Sequence, residues 1–127
     1  MAWEVQFQEE VGIVRAAVWG PAGNDEHVAA RDAAARLLLQ KQCRRLLVDL
    51  RELETGGVVS AQSCFDFGAN YSAADGIPVA IRIAHLLPRD AKAAADVEFT
   101  SAVATNRGAT IRNFESLNEA QAWLLAP

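Results

Sequence analysis

Residues 44–54, RRLLVDLRELE, set a short apolar run between charges. Leu46, Leu47 and Val48 are continuous, Asp49 closes the run, and a polar segment leads to Gly56 and Gly57. A strand that is apolar on both faces and ends in a polar tip reads as a central strand of an open α/β sheet. In such sheets ligands and partners gather beyond the C-terminal edge of the strands. The segment after Asp49 is therefore the first place to look for function.

The flanking sequence agrees. Trp3, Val5 and Phe7 alternate with Glu4, Gln6 and Gln8, the period of a half-buried strand. Glu9 to Gly12 suits a turn, and Ile13 to Trp19 reads as a second strand, apolar apart from Arg15, so the two form an antiparallel hairpin. A helix is expected from an N-cap at Asn24 to about Gln42, with Val28, Ala35, Leu38, Leu39 and Gln42 near its inner face. The central strand follows at Arg45–Leu50. A second helix is expected after Ser60, with Ala61, Cys64, Phe65, Gly68 and Tyr71 buried. Then come a strand from Val79 to Ala84 and a helix introduced by Pro88 and Asp90, with Ala95, Phe99, Ala102 and Val103 inward. Gly108 stops that helix in the left-handed region. Thr110 to Phe114 is the last strand. Ser116 and Glu119 form a capping box for a final helix that buries Ala120, Trp123 and Leu124. Strands alternating with helices after a hairpin predict a mixed, largely parallel α/β sheet of about five strands with helices packed on it.

The chain has 127 residues, 51% of them hydrophobic and 22% charged, which suits one globular domain spanning 1–127. Its net charge is −4, without a basic run, so nucleic acid is not an expected partner. The N-terminus lacks the pattern of a signal peptide, and no apolar run is long enough to span a bilayer, so a cytoplasmic location is expected. Two cysteines, Cys43 and Cys64, and two histidines, His27 and His85, stand far apart and show no metal-ligand spacing. No metal or other cofactor is expected, and both thiols read as reduced packing residues.

The order of elements resembles the STAS fold of the anti-sigma-factor antagonists. It is most similar to the small bacterial STAS-like (SpoIIAA-like) proteins, which are also compared with the CRAL-TRIO lipid-transfer fold. The resemblance is carried by Leu46-Leu47-Val48-Asp49-Leu50, Asn106-Arg107-Gly108, Ile111-Arg112-Asn113-Phe114, and Glu119-Ala120 with Ala122-Trp123-Leu124. It implies a regulatory or protein-interaction module, with a carrier of lipid or another apolar small molecule as the alternative. The antagonists carry a phosphorylatable serine after the central strand. The corresponding position here falls near Val58, so a phosphoserine switch is not expected, although Thr55 and Ser60 lie close by.

The candidate binding residues are Thr55, Gly56, Gly57, Ser60 and Arg107. Paired glycines let backbone N–H groups turn outward as an anion nest, and the two hydroxyls add donors. The plainer reading is a strand-to-helix loop with Ser60 as N-cap, since the lysine of a P-loop is absent. Arg107 with Arg112 could meet an acidic partner or a phosphate, or could serve the helix end and the surface instead. Asp49, Glu52 and Glu54 could do acid–base work, but a strand-end aspartate more often bonds a loop N–H. His85 is expected just beyond its strand, and His27 in solvent. The tryptophans Trp3, Trp19 and Trp123, with Phe65, Phe67, Phe99 and Phe114, either line an apolar pocket or fill the core and its rim. No catalytic set is visible, and a protein partner is expected.

Overall fold

The computed structural model describes residues 2–54, 81–106 and 108–127. It is an α/β structure with one five-stranded mixed sheet in the order β1-β2-β3-β4-β5. The strands are β1 (Trp3–Gln8), β2 (Ile13–Val18), β3 (Arg45–Asp49), β4 (Arg82–Leu86) and β5 (Thr110–Phe114). The hairpin β1–β2 is antiparallel, in the register Trp3↔Val18 to Gln8↔Ile13, and every later pair is parallel. Gly12 makes the hairpin turn at φ +69, where a Cβ is strained. The described helices are α1 (Asn24–Gln40), α2 (Ala91–Asn106) and α3 (Leu117–Leu125).

Successive strands step the same way along the sheet, and crossovers of one hand put their helices on one face. α1 and α2 accordingly share a face. Ala34, Ala35 and Leu38 of α1 and Ala104 of α2 pack on Val14, Ala16, Leu46 and Ile83. Toward the C-terminal edge, Ala30, Ala93 and Val97 meet Val18, Leu50 and Leu53. α3 folds back over the other face, where Ala120 and Leu124 cover Ile13, Leu47, Ala84 and Leu86. Leu47 is fully buried between the two layers, as the reading of the central strand requires.

Several boundaries and faces differ from the sequence reading. The N-cap of α1 is Gly23, not Asn24. Its N–H bonds Glu26 Oε2 at 2.9 Å, so the glutamate supplies the cap from inside the helix. The helix ends at Gln40, because Gln42 adopts φ +50 and the Cys43 N–H returns to the Leu38 carbonyl at 2.9 Å. Leu39 is 56% exposed, and the buried stripe is Ala30, Ala34, Ala35 and Leu38. In α2 the inward residues are Ala93, Val97, Ser101 and Ala104, whereas Ala95 and Ala102 are exposed and Phe99 is 45% exposed. Alanines surround this helix, so its apolar spacing is ambiguous, and a buried hydrogen-bond partner for Ser101 turns that residue inward. β4 runs from Arg82 to Leu86, which places His85 inside the strand and not beyond it. The expected second helix, with Cys64, Phe65 and Phe67, and the expected start of the fourth strand at Val79 lie outside the described residues.

Other expectations hold. Asp90 caps α2, its Oδ1 accepting from the Lys92 and Ala93 N–H groups at 2.9 and 3.1 Å. Gly108 sits at φ +101 behind α2. Ser116 Oγ accepts from the Glu119 N–H at 3.4 Å, the serine half of the expected capping box. Cys43 is a buried free thiol whose Sγ–H points at the Gly12 and Arg45 carbonyls, 3.3 and 3.4 Å away.

Candidate functional site

Residues 45, 47 and 49 of β3 face the α3 side of the sheet, as do Arg15 and Ala17 of β2 and Glu4 of β1, following the alternation of a strand. The covered part of this face is filled from α3. Beside it, at the C-terminal edge, a cleft of about 540 Å³ opens, lined by Glu4, Arg15, Ala17, Trp19, Asp49 and Glu54 among others. The cleft lies at the edge where the central strand pointed. Its floor comes from β2 and β3, and its walls from the segments that leave them.

The floor is built on one carboxylate. Asp49 is 8% exposed and accepts four hydrogen bonds. Arg15 Nη2 reaches Oδ2 at 2.8 Å, and Arg51 Nη2 reaches the same oxygen at 2.9 Å. Arg51 Nε and the Arg51 backbone N–H reach Oδ1 at 3.0 and 3.2 Å. The backbone bond is the strand-end contact expected for Asp49, and the two guanidiniums add to it. Burial pushes the Asp49 carboxyl up, but the bonds from Arg51 and Arg15 outweigh it and hold the group at about 2. The same pairing raises the Arg51 guanidinium, against a smaller cost of burial. Within the cleft lining the charges of Arg15 and Asp49 offset each other. Glu4, Glu52 and Glu54 add negative charge around them.

The rim is tied down on one side. The segment after β3 pairs with the end of β2 through an isolated parallel bridge, Gly20↔Leu53. The Gly20 N–H bonds the Glu52 carbonyl and the Glu54 N–H bonds the Gly20 carbonyl, both at 3.0 Å. Arg89 forms an ion pair with Glu52, and its N–H bonds the Arg51 carbonyl at 3.2 Å. Trp19, directly before Gly20, also lines the cleft and is 37% exposed.

Thr55, Gly56, Gly57, Ser60 and Arg107 lie outside the described residues. Glu54, directly before Thr55 in the sequence, lines the cleft. Arg112 lies over two rings, Phe114 at 5.3 Å and Trp123 at 5.7 Å, and Arg82 lies 5.7 Å from the same Trp123 ring. The cleft residues that the sequence reading missed, Arg15 and Glu4, come from the hairpin, whereas Trp19 is one of the aromatics it offered for a pocket. One signal was present, since Arg15 is the single charge inside an otherwise apolar strand.

A second polar cluster lies on the α1–α2 face. His85 is buried, and its Nδ1 is 2.9 Å from Ser101 Oγ of α2. The Ser101 hydroxyl donates to Asn113 Oδ1 of β5 at 3.1 Å. With that proton committed, neutral His85 carries its own on Nδ1 and donates to Ser101. Burial lowers His85 to about 4; a hydrogen bond with Asn113 opposes the shift, and the charge of His27 adds to it. His27 is half-buried and not in solvent, and burial lowers it too, against the attraction of Glu26.

Among the described residues, several aromatic side chains are divided among separate places. Trp3 packs with Val18 and Leu53, Phe7 lies under Lys41, and Phe114 meets Trp123 on the opposite face at 5.8 Å between centroids. Among the described residues no group of His, Cys, Asp and Glu converges as a metal site. No described helix is long and apolar enough to cross a membrane.

Comparison with protein-family models, with curated proteins and with solved structures returned no match.

Proposed function

We propose that this protein is a non-enzymatic STAS-like interaction module that binds a protein partner across the C-terminal edge of its sheet. The observation that carries the reading is the open cleft at that edge, with Trp19 exposed on one side and charged groups of both signs below. Indole and guanidinium groups supply much of the energy at protein interfaces, and charges of both signs select the partner. Among the described residues, two groups suited to acid–base work, Asp49 and His85, are occupied. Asp49 has its oxygens filled by Arg15 and Arg51, and His85 is buried under α2. A general base must reach the proton it takes, which favours binding over catalysis here.

The reading of a carrier for an apolar molecule asks for one aromatic-lined cavity. The division of Trp3, Phe7, Phe114 and Trp123 between both faces of the sheet gives that reading less support.

The test is affinity capture from the host with the intact chain, Trp19→Ala, Glu54→Lys and, as a control away from the cleft, Glu119→Lys. One specific partner should be retained by the control and lost, by about tenfold or more in Kd, with Trp19→Ala or Glu54→Lys. Equal retention by all four proteins would rule out the cleft as the docking site. Native mass spectrometry of the same preparation should show the bare protein. A lipid-sized mass lost on denaturation would favour the carrier.

A further inference from the structure

Among the described residues β1 is an outer strand of the sheet, paired with β2 alone. In an antiparallel ladder, residues alternately turn their N–H and C=O toward the neighbour and away from it. The Trp19 N–H bonds the Ala2 carbonyl at 3.0 Å, while that of Gly20 points the other way, to Glu52. With the register of the hairpin, this sets Glu4, Gln6 and Gln8 toward β2 and leaves the backbone groups of Trp3, Val5 and Phe7 facing outward. The side chains of the same three residues lie together on the α1–α2 face, each only half-buried.

Natural edge strands are blunted by lysine, proline, bulges or cover. β1 has no lysine, proline or bulge in its sequence or ladder, and its single charge is Glu4. The opposite edge, β5, carries Arg112 exposed at its centre. Pairing β5 with its own copy about that centre would oppose two guanidiniums, which is unfavourable.

β1 is self-complementary. Antiparallel pairing about Val5 sets Val5 opposite Val5, Trp3 opposite Phe7 and Glu4 opposite Gln6. All three outward-facing residues then meet outward-facing residues, and inner faces meet inner faces. Moving the centre to Glu4 would oppose two carboxylates and set Phe7 opposite position 1, beyond the strand. We propose that β1 pairs in this register with β1 of a second copy of the chain, joining two five-stranded sheets into one continuous sheet across a twofold axis. The backbone bonds supply the attraction, and the aromatic–aromatic and valine–valine pairs fix the register. One strand from each copy makes a small interface, so the dimer is reversible and concentration-dependent. It rests on the hairpin alone and stands or falls separately from the proposed partner at the cleft.

Sedimentation velocity on the 127-residue chain, from low micromolar to near-millimolar concentration, should show a monomer–dimer equilibrium. Amide exchange at both ends of that range should show the Trp3, Val5 and Phe7 N–H groups protected about tenfold or more in the dimer alone. Val5→Pro removes the central outward N–H, a change that an edge strand tolerates. It should raise the dimer Kd about tenfold or more while thermal unfolding stays cooperative. If that variant does not fold, exchange on the unaltered chain decides. A chain that stays monomeric throughout overturns the proposal, as does a dimer in which these three amides exchange as in the monomer.

Discussion

Asp49 shows how one side chain can hold a site and be unavailable for chemistry. Its four hydrogen bonds offset the cost of burying a carboxylate, and they connect β2, β3 and the segment after β3. Asp49→Asn keeps the shape but leaves Arg15 and Arg51 without their anion. Breaking a buried ion pair by removing one partner costs roughly 3–5 kcal/mol, and the partial exposure of both arginines reduces that to about 2 kcal/mol. The expected result in urea unfolding is a lower midpoint with an unchanged slope. A loss below about 0.5 kcal/mol would mean that solvent screens the cluster and that the arginines hold the cleft by themselves.

The elements are joined by similar polar devices at their ends. α3 has only nine residues and lacks a glycine stop, so its last carbonyls need donors from elsewhere. Two strands provide them. Arg45 Nε bonds the Leu124 carbonyl at 3.0 Å, and Arg82 Nη1 bonds those of Trp123 and Ala126 at 2.8 Å. Both guanidiniums also place positive charge at the negative end of the helix. Arg82→Ala should cost about 1–2 kcal/mol and speed amide exchange in α3 ahead of global unfolding. Arg82→Lys should recover little of this, because one ammonium cannot reproduce the fork or lie flat on Trp123. Uniform exchange across the chain in both variants would show that packing of Ala120 and Leu124 alone holds the helix.

For the molecule as a whole, two buried groups predict stability that falls in acid. His85 is held at about 4, below the value of about 6.5 for an exposed histidine, so the unfolded chain binds the extra proton between these values. Stability therefore falls as pH drops from about 6.5 toward 4, by on the order of 3 kcal/mol. Asp49, held at about 2 against the ordinary 3.8, adds a second loss as pH falls from 3.8 toward 2, on the order of 2 kcal/mol. Urea midpoints measured from pH 7 to 2 should show both steps. His85→Gln should reduce the upper step to what His27, also lowered by burial, contributes, and leave the lower one; an upper step of unchanged size in that variant would assign it to another group.

The alternation of Trp3 to Gln8, the apolar run before Asp49, and the caps at Asp90, Gly108 and Ser116 determined the element order and the mixed sheet. These are local signals, set by periodicity and by backbone geometry within a few residues. The inner face of α2 was not legible in this way, since alanines on all sides leave several stripes equally apolar. It was settled by Ser101, which is drawn inward to His85 and Asn113, residues 16 and 12 positions away. The cleft depended on the tertiary structure in the same manner. Arg15 and Asp49 stand 34 residues apart, and only the parallel pairing of β2 with β3 brings the guanidinium to the carboxylate. A charge within a strand reads as a solvated face until the sheet shows which charge of opposite sign lies beside it.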